Sequence, residues 1–168
     1  VKLMAPILSF TAEEIWKIIG GESGGSGDDS IMLHTWQTLP SLDGEAALLD
    51  KWSKLRDYRA DVTKALEDLR IAGKIGSSLQ AEVTLHADGE KFDLLSSLGD
   101  DLRFVLICSQ TKLVRSAEDK VECAPLEYAK CERCWHVRAD VGADPAHPQI
   151  CGRCVSNLHG DGEPRAYA

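Results

Sequence analysis

Two cysteine pairs with the same internal spacing constrain this chain more than any other feature. The stretch "KCERCWHVRADVGADPAHPQICGRCVSN", Lys130 to Asn157, sets Cys131, Cys134, Cys151 and Cys154 in the pattern C-x2-C-x16-C-x2-C. A two-residue turn brings both sulfurs of a pair to one side. Two such turns present four thiolates to one d10 ion, the arrangement zinc prefers. The sixteen residues between the pairs include Gly142, Pro145 and Pro148 and are too loop-rich to fold without such a staple. Four protein ligands leave no open position, so the expected Zn2+, one per chain, is structural rather than catalytic.

Other uses of the cysteines fit less well. Disulfides need an oxidising compartment, and no stretch has a signal peptide's basic start, apolar centre and small-residue cleavage site. A redox dithiol needs one C-x-x-C beside a βαβ unit, not two pairs in a loop-rich tail. Four thiolates also allow iron. His136 or His147 could enter a mixed ligand set, although four cysteines already close the site. Zinc and four thiolates sum to about -2, and Lys130, Arg133 and Arg153 sit beside the ligands to offset it or to face a phosphate backbone. Of the other two cysteines, Cys108 lies in an apolar run and reads as a buried core thiol. Cys123 has no assigned role.

The 168 residues allow one large domain or two small ones, with enough apolar content for a packed core. No apolar run reaches the length of a membrane span, so the expectation is a soluble, cytoplasmic protein with no membrane partner. The opening "VKLMAPIL" has no initiating methionine and reads as the middle of a longer chain. A net charge of -8 argues against nucleic acid. The charge is uneven, however. Residues 1–50 carry two basic and eight acidic side chains, whereas residues 51–74 carry seven basic and four acidic.

In "FTAEEIWKIIGG", Thr11 and Glu14 have capping-box spacing, Ile15, Trp16, Ile18 and Ile19 supply an apolar side, and Gly20 and Gly21 stop the helix. Residues 20–30, "GGESGGSGDDS", read as a loop, and "IMLHTW" as a short extended piece. Residues 43–72 place Leu48, Trp52, Leu55, Tyr58, Val62, Leu66 and Leu69 at helical spacing. That predicts one helix of roughly 45 Å. Lys54, Arg56, Arg59, Lys64 and Arg70 fall off its apolar stripe, as solvated charge or as contacts for an anionic partner. After Gly76, "LQAEVTLHA" alternates as a strand, "EKFDLLSSLG" reads as a helix, "LRFVLICSQ" as a nearly continuous apolar strand, and "TKLVRS" and "DKVECAP" as shorter strands. The predicted class is α+β: a helical segment, a small mixed unit and a four-cysteine module.

Taken together, these segments resemble a known family. "MAPILSFTAEEIW" looks like the anticodon-binding helical domain of class I aminoacyl-tRNA synthetases. "YRADVTKALEDLRIAGKIGSSLQAEVTL" is similar to the segment after that domain in the bacterial isoleucyl-tRNA synthetase family. The cysteine module, with Trp135, His136, Val141, Gly142 and "CGRCVSN", resembles that family's C-terminal zinc module. The resemblance implies three parts: the end of the anticodon-binding domain (1–75), a junction unit (76–124) and the zinc module (125–168). It implies binding of isoleucine tRNA at the anticodon end, with no obligate protein partner evident. ATP and Mg2+ would be used only by the full-length enzyme.

The family's HIGH and KMSKS signatures have no match, "KWSKL" at 51–55 being a superficial echo, and no residue is assigned a catalytic role. Lys130, Arg133, Trp135, His136 and Arg153 are the expected RNA contacts. Trp135 either packs over the metal turn or exposes its face to an unstacked base. Two other classes compete: a zinc-stabilised DNA-binding module of a repair glycosylase, and an interaction module with no nucleic acid.

Overall fold

The structure, a computed structural model, describes residues 1–20, 30–36 and 38–163. It divides into two units, Val1–Glu45 and Ala46–Ala168. Most of the loop expected over 20–30, residues 21–29, lies outside the described residues.

In the first unit, α1 (Ser9–Ile18) begins two residues before the expected cap, and no Thr11–Glu14 capping box forms. Residues ahead of it already run in hydrogen-bonded turns, with the Leu8 amide on the Met4 carbonyl at 2.8 Å and that of Ala12 on Leu8 at 2.8 Å. Upstream carbonyls therefore satisfy amides that would otherwise need a side-chain cap. Ala12 and Trp16 are the buried residues of α1 and join Ala5 and Ile31, whereas Ile18 and Ile19 are exposed. Gly20, at φ +81°, ends the helix as expected. "IMLHTW" is not extended: Ile31–Leu33 form a 3-10 turn, anchored by Glu13, whose carboxylate accepts from the Ser30 hydroxyl and the Ile31 amide, each at 3.0 Å.

The long helix, α2 (Glu45–Ile71), runs 27 residues. Leu55, Val62 and Leu66 are buried, with Trp52, Tyr58 and Leu69 packed at the core's edge. Gly73 (φ +70°) ends it, its amide on the Arg70 carbonyl and that of Lys74 on Leu69, a Schellman closure.

Three strands come next, the first in sequence lying between the other two. β1 (Ala81–Ala87) alternates buried and half-buried residues, as its pattern predicts. β2 (Gln110–Arg115) pairs with it in parallel, Leu85 opposite Leu113. β3 (Lys120–Pro125) pairs antiparallel, Val83 opposite Cys123. A parallel neighbour requires a crossover. Helices α3 (Gly89–Ser96) and α4 (Leu102–Leu106) supply it, and Leu95, Leu98, Leu102 and Leu106 complete one core with β1 and α2.

This requirement overturns the strand expected at "LRFVLICSQ". Leu102–Leu106 are helical, and Ile107 breaks the helix at φ +56°. A short apolar run carries no period that separates strand from helix, so topology decides. Cys108 is fully buried, and burial pushes its thiol up to about 12. The α+β class stands, with three further elements in the cysteine module: β4 (Ala129–Lys130), β5 (Val137–Arg138) and α5 (Gly152–His159).

Candidate metal centre

β4 and β5 pair antiparallel, Lys130 opposite Val137, and the loop between them carries the first cysteine pair. The Cys131 amide donates to the His136 carbonyl at 2.9 Å, and the Trp135 amide donates back to the Cys131 carbonyl at 2.9 Å. The chain reverses at Trp135, which takes φ +64°. That region is costly for any residue with a Cβ, by about 1–3 kcal/mol. The second pair sits at a helix start. Cys151 immediately precedes α5, and Cys154 lies in its first turn. Three-residue spacing on a helix puts both sulfurs on one side.

The two turns bring all four sulfurs within 4.8 Å of one another. Cys131 and Cys154 Sγ are 3.7 Å apart, as are Cys134 and Cys151 Sγ. A tetrahedral ion with bonds of about 2.3 Å requires sulfur–sulfur edges of about 3.8 Å. The donor set, its spacing and its burial therefore fit zinc. None of the four is disulfide-bonded; Cys131, Cys151 and Cys154 are fully buried, and Cys134 is half-buried.

Polar groups already turn toward the sulfurs. The Cys151 amide donates to Cys131 Sγ at 3.3 Å, and Arg133 Nη1 to Cys154 Sγ at 3.5 Å. Burial raises the thiols of Cys134 and Cys151. At Cys131 burial works the same way, but the amides of Cys134, Cys151 and Arg133 outweigh it and hold the thiol below its ordinary value.

The connecting segment relies on two devices. Arg138 forks onto Asp140 at 2.8 and 3.2 Å, and Asp140 accepts from the Gly152 amide at the start of α5. Gly142, at φ +79°, packs so closely that a Cβ would stand 2.9 Å from the Pro148 carbonyl oxygen. We expect Gly142→Ala to destabilise the module by about 1–3 kcal/mol. Gly73→Ala, at φ +70° with nothing within 4 Å, is the control and should cost less. Thermal melts that rank the two the other way would remove the close-packing argument.

The expected RNA contacts divide into two groups. Trp135 is 62% exposed, and Lys130 Nζ stands 5.7 Å from its ring centre. Arg133 is also exposed. His136 is buried and Arg153 half-buried. His136 is buried edge-on to Phe104, with ring centres 5.7 Å apart. Burial, then Arg103 and Arg153, push its imidazole down to about 4. Arg153 lies over the same Phe104 ring at 4.7 Å and pairs with Glu163 at 2.6 Å. His147 stacks on His159 at 4.0 Å, and the metal-binding group among the described residues contains neither His136 nor His147.

Sequence reasoning did not identify Phe104, Glu163 or Ser109. The Ser109 hydroxyl donates to the Leu79 carbonyl and accepts from the Val137 amide at 2.8 Å, tying β5 to the strand unit. No local pattern marks it, because its partners lie roughly thirty residues away on either side.

Comparison with known proteins yields two family matches. The model described as "Anticodon-binding domain of tRNA ligase" matches residues 1–85, and "Zinc finger found in FPG and IleRS" matches residues 130–157. The chain is 59% identical to an isoleucine–tRNA ligase of Dechloromonas aromatica over 168 residues and 57% identical to that of Thiobacillus denitrificans over 168 residues. A third such ligase, from Bordetella avium, is 56% identical over 173 residues. Each alignment takes in all of this chain and 18% of the relative, so the chain spans under a fifth of the length of the curated proteins it matches.

Proposed function

Because the chain belongs to the anticodon-binding domain family of tRNA ligases, we propose that it is the C-terminal part of a bacterial isoleucyl-tRNA synthetase and binds isoleucine tRNA at the anticodon end. Residues 1–75 close the helical anticodon-binding domain, 76–124 form a junction, and 125–168 form a module held by one structural zinc on Cys131, Cys134, Cys151 and Cys154. The zinc supplies no chemistry to the reaction. It fixes the Cys131–Cys134 turn, and that turn presents Trp135.

The geometry at Trp135 carries this reading. A large aromatic occupies a left-handed position that glycine would hold more cheaply, and its ring faces solvent. Its presence there does not serve the fold. Unstacked bases of an anticodon loop bind to such platforms. Lys130 and Arg133 supply positive charge around it; His136 and Arg153 meet instead on the Phe104 ring. Activation of isoleucine with ATP and Mg2+ is assigned to the longer cytoplasmic enzyme, and this chain contributes tRNA binding alone. No helix among the described residues is long and apolar enough to cross a membrane.

The test is a salt series of tRNA binding by fluorescence anisotropy. Three or four phosphate contacts should give a log–log slope of about -2 to -3. The chain alone should show no isoleucine-dependent pyrophosphate exchange. Tighter binding to lesion-bearing duplex DNA than to tRNA would favour the glycosylase class, and no salt-dependent binding of either would favour an interaction module.

A further inference from the structure

The outward face of α2 separates its charges. At 100° per residue, Arg56, Arg59 and Lys64 fall toward one side and Asp57, Asp61 and Asp68 on the stripe beside it. Lys54 pairs with Asp50 and Glu90, and Arg70 with Glu67. Arg56, Arg59 and Lys64 pair with no carboxylate among the described residues. In a chain of net charge -8, three such cations along one stretch of helix are a local exception.

Those three residues line a shallow groove. Arg59, Thr63 and Glu67 are shared with a deeper recess of about 240 Å³ between α2, Ser78 and the end of α4. Leu66, Leu106 and Ile107 give that recess an apolar floor. Ile107 is β-branched yet held at φ +56°, the kind of strain that collects at binding sites. Arg59 lines both hollows, and its Nε is buried without a hydrogen-bond partner. Glu67 is held by both Nε and Nη2 of Arg70 at 2.8 and 2.7 Å, so it offers acceptor oxygens with its charge offset.

An apolar floor, the Arg59 guanidinium and the Glu67 carboxylate lining it, and cations held in no ion pair next to it match the parts of one nucleotide: ring, base edge and phosphate. The recess is smaller than the roughly 300–1,000 Å³ of sites for drug-sized ligands, which suits a single ring. We propose that it takes one unstacked base of the bound RNA, with the adjoining phosphates on Arg56 and Lys64. The proposal rests on the tRNA reading above and adds to Trp135 a second base contact, on α2.

The experiment measures binding of an isoleucine tRNA transcript to the full chain and three variants, with circular dichroism and melting temperature as fold controls. Thr63→Phe fills the recess from an exposed helix position and should weaken binding about 5- to 150-fold, the range for one lost base contact, with the salt slope unchanged. Arg59→Met keeps the stem and removes the donor, and should weaken binding in the same direction. Lys64→Gln should reduce the salt slope by about 1. If Thr63→Phe or Arg59→Met is folded and binds as tightly as the parent, the recess is not a base site, while Trp135-dependent binding would still stand. Failure of the unaltered chain to bind tRNA overturns both readings.

Discussion

Chelating the metal should unfold residues 129–159 and leave the three-stranded sheet intact. The module's buried core consists of Cys131, Cys151 and Cys154, edged by Cys134, Val141 and Ile150. Apart from the ligands themselves, that cluster holds only two half-buried aliphatic side chains, and the module's other ties are polar, such as Arg138 on Asp140 and the Val137 amide on Ser109. Its strands are two residues each, and α5 has eight residues, well short of the roughly 12–15 needed for an isolated helix to be even marginal. The metal therefore supplies most of the folding energy, on the order of 10–16 kcal/mol for comparable sites. The other core, built on Leu55, Val62, Val83, Leu95 and Leu106, contains no metal ligand.

Two-dimensional amide spectra before and after chelation should show the module's signals collapse to random-coil positions while those of Ala81–Ala87 persist. Cys151→Ala should reproduce the chelated state. X-ray absorption on the untreated protein should give one zinc with four sulfurs at about 2.3 Å. Protected α5 amides after complete metal removal would show that the module folds without the ion.

Several parts of this architecture are legible in the residues because local physics dominates them. The spacing of Leu55, Val62 and Leu66 is helical whatever surrounds it, and the alternation of Ala81, Val83 and Leu85 needs only one covered face. The cysteine spacing likewise contains its own geometry. The parts that could not be read depend on distant partners. "LRFVLICSQ" has the composition of a buried strand, but the parallel pairing of β1 with β2 demands a helical crossover there. Adjacency to a ligand did not tell which way a side chain points. The left-handed turn at Trp135 sends that ring outward and the next residue, His136, inward, where Phe104 from α4 meets it. Arg153 is drawn to the same ring and to Glu163. The sequence neighbours of a metal turn thus split into an outer and an inner set, and only the fold shows the division.

Replacing Trp135 with glycine should leave the module as stable as before, or more so, and should cost tRNA affinity. A residue with a Cβ loses roughly 1–2 kcal/mol in the left-handed region, and glycine does not. With the ring 62% exposed, little buried apolar area is lost to offset that gain. The remaining local contact, Lys130 over the ring at 5.7 Å, is worth only about 0.5–1 kcal/mol at an exposed site. Zinc content and melting temperature should therefore hold. Affinity for tRNA should fall about 5- to 150-fold, in line with the roughly 1–3 kcal/mol of a base stacked on an aromatic ring. Trp135→Ala should lose the same affinity without the backbone relief, and Trp135→Phe, which keeps a flat face, should lose less. This ordering separates a platform from a packing residue. A packing residue would lower zinc affinity, melting temperature and tRNA binding together, and glycine would be the worst of the three. If the folded, zinc-loaded glycine variant binds tRNA as tightly as the parent, Trp135 has no part in RNA recognition and its left-handed geometry needs another cause.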